Sequence, residues 1–81
     1  MWYLYIVKCA GGALYTGITT DVASRVACHN SKKGCKFTRG RTPVRLEYRE
    51  ECGDKSRALK RELEVKKLTR DEKIVLIKGF K

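Results

Sequence analysis

The chain has 81 residues, and its 19 Lys and Arg against 9 Asp and Glu give a formal net charge of +10. That length suits one domain spanning residues 1–81 with a small core, and a 42% hydrophobic content excludes a disordered basic tail. No apolar run approaches the ~20 residues that cross a bilayer; the opening run 2–7 lacks a basic lead and ends at Lys8, so it reads as a strand of a soluble, intracellular protein with no membrane partner.

Taken in chain order, residues 2–9 are rich in Trp, Tyr, Ile and Val and predict a first strand. Gly11 and Gly12 break it, and residues 13–18 resume as the second strand of a hairpin. From Asp21, a suitable N-cap, Val22, Ala23, Val26 and Ala27 recur on one side of a helix. Residues 31–43 read as a loop with one short helical turn. Residues 44–50 alternate Val44, Leu46 and Tyr48 against Arg45, Glu47 and Arg49, the pattern of a half-exposed strand. Asp54 caps a helix to about Leu68, and Thr69 with Glu72 forms a capping box for a last helix ending near Gly79. The order β-β-α-β-α-α specifies an α+β domain with a small, mainly antiparallel three-stranded sheet flanked by helices.

Charge is uneven along the chain. Residues 1–24 carry only Lys8 and Asp21, whereas residues 32–49 carry seven cations against Glu47 alone. A field of that density favours a polyanion, and Lys32, Lys33, Lys36, Arg39 and Arg41 are the candidate phosphate contacts. The bland alternative is a solvated basic face. Cys9, Cys28, Cys35 and Cys52 contain no CxxC pair, so they read as reduced thiols; an improvised metal site from Cys28, His29, Cys35 and Cys52 is the weaker alternative.

Two features go beyond packing. On the helix after Asp54, Ala58, Leu59, Leu63 and Val65 define the predicted apolar face, and Glu62 projects from within it. A carboxylate there costs free energy unless paired, so Glu62 is either an ion-pair partner of an Arg from elsewhere or a metal ligand. On the first helix, Arg25 and His29 stand four residues apart and share a face. A cation, a proton-accepting ring, a carboxylate and two hairpin tyrosines together suit phosphodiester hydrolysis, where charge builds on the phosphoryl oxygens.

These residues resemble the GIY-YIG nuclease superfamily. Tyr3-Leu4-Tyr5, then Tyr15-Thr16-Gly17, Arg25 eight residues after that glycine, His29 and Glu62 follow its pattern in order. The stretch from Gly34 to Gly40 followed by Pro43 is similar to its small stand-alone, YhbQ-like branch. Tyr3 stands where the name-giving glycine is found and Thr16 where isoleucine is found, replacements that touch packing rather than catalytic atoms.

The resemblance implies a divalent-metal-dependent DNA endonuclease of low sequence preference, with selectivity for branched, nicked or single-stranded DNA left open. It implies Tyr5, Tyr15, Arg25, His29 and Glu62 as catalytic residues, with a single Mg²⁺ or Mn²⁺ on Glu62. Arg25 is expected to stabilise the phosphorane, and one tyrosine with His29 to act on the attacking water. DNA is the implied partner, with RNA and a targeting protein left open, in repair or recombination. Two further readings remain: a binding module that keeps the fold without turnover, and an interaction protein using its basic loop. Separately, Glu50 and Glu51 point to opposite faces of their strand and Glu62 and Glu64 diverge, which favours one metal over two.

The hairpin sets a condition on this site. A two-residue Gly11-Gly12 turn pairs Tyr5 with Ile18 and leaves Tyr15 on the other face. Both tyrosines serve one site only if the loop is odd in length or a bulge intervenes.

Overall fold

A computed structural model describes residues 1–31, 38 and 40–79. Its elements are β1 (Trp2–Lys8), β2 (Leu14–Thr19), α1 (Val22–Asn30), β3 (Arg45–Gly53), α2 (Lys55–Lys66) and α3 (Arg70–Lys78), in the predicted order. The sheet runs β2-β1-β3 and is antiparallel throughout. The strand richest in apolar residues therefore takes the centre, where Leu4, Tyr5, Ile6 and Val7 are all buried.

Alternation along β1 divides the core in two. Tyr5, Val7 and Cys9 join Val22 of α1 and Val44 on one face, with Tyr15, Val26 and Leu46 packed against them. Leu4 and Ile6 join Tyr48 and Val65 of α2 on the other, with Leu76 and Ile77 of α3 alongside. The caps fall where the sequence places them: Asp21 accepts from Ser24 N at 3.0 Å, Asp54 from Arg57 N at 2.9 Å, and Thr69 with Glu72 closes a capping box. Each such cap is worth about 1 kcal/mol.

Three expectations are corrected. Strict alternation put Val44, Leu46 and Tyr48 on one face, but a register shift lies between Ile6 and Val7. Leu46 pairs with Val7 and Tyr48 with Ile6, so the bulge sends Leu46 towards α1 and Tyr48 to the opposite side. β3 also runs to Gly53 rather than Glu50. On α2, the buried residues are Ala58 and Val65, whereas Leu59 and Leu63 are 43% and 63% exposed. The sheet meets a narrow sector centred on Ala58 and Val65, and both leucines lie about a quarter-turn or more away from it. Glu62 falls within that inward sector and is half-buried.

The hairpin meets the condition that the site imposes. Lys8 pairs with Leu14 across a five-residue loop, closed by Cys9 N to Ala13 O at 2.7 Å and Gly12 N to Cys9 O at 2.9 Å. Gly11 and Gly12 both take positive φ, +89° and +96°, which makes this loop possible. Tyr5 then pairs with Gly17 and Val7 with Tyr15, so both tyrosines face α1. Among the described residues, no helix is long and apolar enough to cross a membrane.

Candidate active site

The site begins with Gly17. Because Tyr5 and Gly17 are register partners, the Tyr5 ring lies directly across the glycine. A Cβ at position 17 would stand 2.7 Å from Tyr5 Oη, 2.8 Å from Cζ and 3.0 Å from Cε1. The motif's glycine thus clears space for the motif's tyrosine on the adjacent strand.

α1 brings His29 to that ring. Its N-terminus is fixed by the Asp21 cap. Its C-terminus is fixed by Asn30, whose side chain accepts from Val44 N at 2.6 Å and donates to Val44 O at 3.1 Å. The amide acts as a one-residue strand partner and ties the helix to the lead-in of β3.

Between these anchors the His29 side chain is buried, with Nε2 2.9 Å from Tyr5 Oη and Nδ1 2.7 Å from Thr38 Oγ1. Thr38 is fully buried. Tyr15 is half-buried and completes the group, its ring edge-on to His29 with centroids 5.4 Å apart and 6.4 Å from the Tyr5 ring.

Desolvation lowers the His29 pKa below its usual 6.5, and the positive charge of Arg25 lowers it further. The ring is therefore neutral at neutral pH and carries one N–H. Arg25 is exposed on α1, one turn before His29. Its field reaches the site while its guanidinium stays open to an anion.

Of the five predicted site residues, direct contacts join Tyr5, Tyr15 and His29, and Arg25 acts on His29 through its charge. Glu62 lies on the inward sector of α2, with its carboxylate 3.4 Å from Lys66 Nζ. The Glu62 side chain is 19% exposed and that of Lys66 49%, so the lysine can move off towards solvent. The arginine expected for Glu62 goes elsewhere. Arg61 grips Glu50 with Nε at 2.8 Å and Nη2 at 3.2 Å, and Glu50 also accepts from the Tyr48 hydroxyl. Burial, then Glu50, push the Tyr48 pKa up.

Among the described residues, no group of three or more His, Cys, Asp or Glu gathers to hold a metal. Both His29 nitrogens are engaged, which argues against the improvised site from Cys28, His29, Cys35 and Cys52, of which Cys35 lies outside the described residues. Glu62 alone fits Mg²⁺, an ion that keeps several waters and often binds one carboxylate plus a substrate phosphate.

Of the basic loop, Lys32, Lys33, Lys36 and Arg39 lie outside the described residues. Arg41 is exposed, and its backbone N donates to Thr38 O at 2.9 Å while its carbonyl accepts from Ala10 N at 2.8 Å. Sequence reasoning missed Thr38 and Asn30, because each works through a partner nine or more residues away that no periodicity marks. It also missed the reason for Gly17, which only strand register supplies.

Residues 1–74 match the family model described as the GIY-YIG catalytic domain. The chain is 54% identical to a UPF0213 protein of Desulfotalea psychrophila over 79 residues, covering 96% of this chain and 72% of that protein. It is 49% identical to a UPF0213 protein of Staphylococcus haemolyticus, over 93% of this chain and 92% of the relative. Among solved structures it is similar to the solution NMR structure of a UPF0213 protein of Bacillus halodurans, with TM-score 0.61 and 46% identity over 96% of this chain and 84% of that one.

Proposed function

This chain belongs to the GIY-YIG family, whose domain is of nuclease type, and from that premise we propose that it is an endonuclease hydrolysing phosphodiester bonds of DNA, with low sequence preference and one divalent cation, Mg²⁺ or Mn²⁺. The observation that carries the reading is the buried hydrogen bond between Tyr5 and a neutral His29, beside the half-buried ring of Tyr15.

The attacking water gives its proton to Tyr5 Oη as the phenolic proton passes to His29 Nε2. Hydroxide then forms the new P–O bond, and the P–O bond to the leaving oxygen breaks. A free phenol has a pKa near ~10 and is a poor base at neutral pH; the relay removes that barrier because the proton leaves Tyr5 in the same motion. Arg25 disfavours the imidazolium, and the negative charge gathering on the phosphoryl group offsets that cost. The exposed guanidinium of Arg25 neutralises the phosphoryl oxygens, a role worth several kcal/mol where a preformed charge meets a developing one. Tyr15 orients the water from the solvent side. Glu62 would hold the cation, which would supply neutralisation of the charge that develops on leaving. The basic segment 32–41 supplies sequence-independent phosphate contacts.

Nicking of supercoiled plasmid tests the reading. The wild-type protein converts it to open circle in Mg²⁺ and not in chelator, and Tyr5→Phe is expected to abolish conversion while still binding DNA. Wild-type protein that binds DNA without nicking it in either metal would overturn the proposal and make this a binding module that keeps the fold.

A further inference from the structure

The interaction at Nδ1 of His29 decides what the ring can do at Nε2. A neutral imidazole has one N–H. If Nδ1 carries it, Nε2 can accept from Tyr5; if Nε2 carries it, the ring can only donate to Tyr5, and the phenol keeps its proton. Two hydroxyls compete for the two roles, Tyr5 Oη at 2.9 Å from Nε2 and Thr38 Oγ1 at 2.7 Å from Nδ1. A phenol is a stronger acid and a weaker base than an aliphatic alcohol, so the lower-energy pairing makes Tyr5 the donor and Thr38 the acceptor.

We infer that Thr38 is a positioning residue that fixes His29 in the Nδ1–H tautomer, and so poises Tyr5 to release its proton. The inference rests on the reading of this site as a hydrolytic centre. Three further observations support it. Thr38 is fully buried, so no water competes for Nδ1. It lies in the basic segment predicted to meet DNA. Its carbonyl accepts from Arg41 N at 2.9 Å, while the Arg41 carbonyl accepts from Ala10 N at 2.8 Å. Thr38 is thereby pinned through Arg41 to the hairpin loop that follows β1, the strand carrying Tyr5. This buried contact with the proton acceptor lets Thr38 act on the chemistry directly.

His29 is the only histidine in the chain, so its ring nitrogens give unambiguous ¹⁵N signals in the intact protein. Above pH 7, the wild type should show a protonated Nδ1 and an unprotonated Nε2. Thr38→Val, which keeps the shape and removes the acceptor, should shift the ring towards the Nε2–H form. It should also cut the nicking kcat about tenfold or more with KM unchanged, the factor that a lost hydrogen bond of ordinary strength represents. Thr38→Ser should restore both tautomer and rate.

A wild-type ring protonated at Nε2 would overturn the inference, as would a Thr38→Val protein with unchanged tautomer and rate. If Thr38→Val fails to fold, the wild-type tautomer and the Thr38→Ser variant still decide. The two readings fail separately: the expected tautomer in a protein that does not nick DNA overturns the nuclease assignment alone, whereas nicking with the opposite tautomer overturns only the role of Thr38.

Discussion

Gly17→Ala is a small change with a calculable cost. The new methyl would sit 2.7–3.0 Å from three atoms of the Tyr5 side chain, whereas unstrained carbon contacts lie near ~3.5–4.0 Å. One partner must give by about 1 Å. The Tyr5 ring cannot do so freely, because it is 2% exposed and its hydroxyl is held 2.9 Å from His29 Nε2. Overpacking of this kind costs about 1–3 kcal/mol, and a strained or lost Tyr5–His29 bond adds about 1 kcal/mol. Lower entropy of the unfolded alanine chain returns about 0.4–1 kcal/mol. The net expectation is a loss of about 1–3 kcal/mol, or roughly 5–20 °C in Tm for a domain of this size, together with loss of nicking.

Tyr5→Phe in the same chain provides the control, since it deletes the atom nearest the new methyl. If the clash is the cause, the double variant is less destabilised than the sum of the single variants, with a coupling above about 0.5 kcal/mol in urea melts. Additive costs, or a Gly17→Ala protein with wild-type Tm and wild-type nicking, would refute the account of this glycine.

Three other outcomes follow from the same geometry. Glu62→Gln should abolish Mg²⁺-dependent nicking and leave Tm within a degree or two, because its partner is a partly exposed lysine one turn on, a pair worth about 0.3–0.5 kcal/mol; a melt lowered by 3 kcal/mol or more would show that the carboxylate is structural. His29, whose folded pKa lies below 6.5, binds fewer protons folded than unfolded between those two values. Its contribution to stability is present above pH 6.5 and is lost as pH falls towards the folded pKa, so the difference in Tm between wild type and His29→Gln should shrink on acidification, and the acid limb of the nicking rate should lie below pH 6.5. Arg61→Met strands the half-buried Glu50 beside Tyr48 and should cost about 1–2 kcal/mol in denaturant melts, a range discounted for partial exposure.

Element order and the three helix starts were legible because their signals are local. Asp21, Asp54 and Thr69 each bond a backbone amide three residues on, so a sequence window contains both partners. The candidate site was legible only in part, through motif resemblance. Tyr5 and Tyr15 could be named, but whether they face one another hung on loop length, which two glycines at positive φ leave open. Leu46 and Tyr48 went to opposite faces through a bulge that shows only in the pairing with β1, some forty residues earlier. Leu59 and Leu63 read as core because composition cannot tell which sector of an amphipathic helix meets a narrow sheet. Thr38 and Asn30 are small polar residues near a loop, and their partners become neighbours only once the chain has closed.

The placement of β1 between β2 and β3 bears on how the chain survives its own synthesis. The stickiest segment is made before both of the strands that flank it, and β2 can cover one of its edges at once through the five-residue hairpin. The other edge waits for Arg45–Gly53, so a half-covered apolar ribbon persists until β3 has been made. Once β3 docks, it brings the charges of Arg45, Glu47, Arg49 and Glu51 to the outer rim of the sheet, where an open edge most needs them against strand-to-strand association. The late strand is thus also the guard strand, and variants that slow its docking should aggregate during expression even when the finished fold is stable.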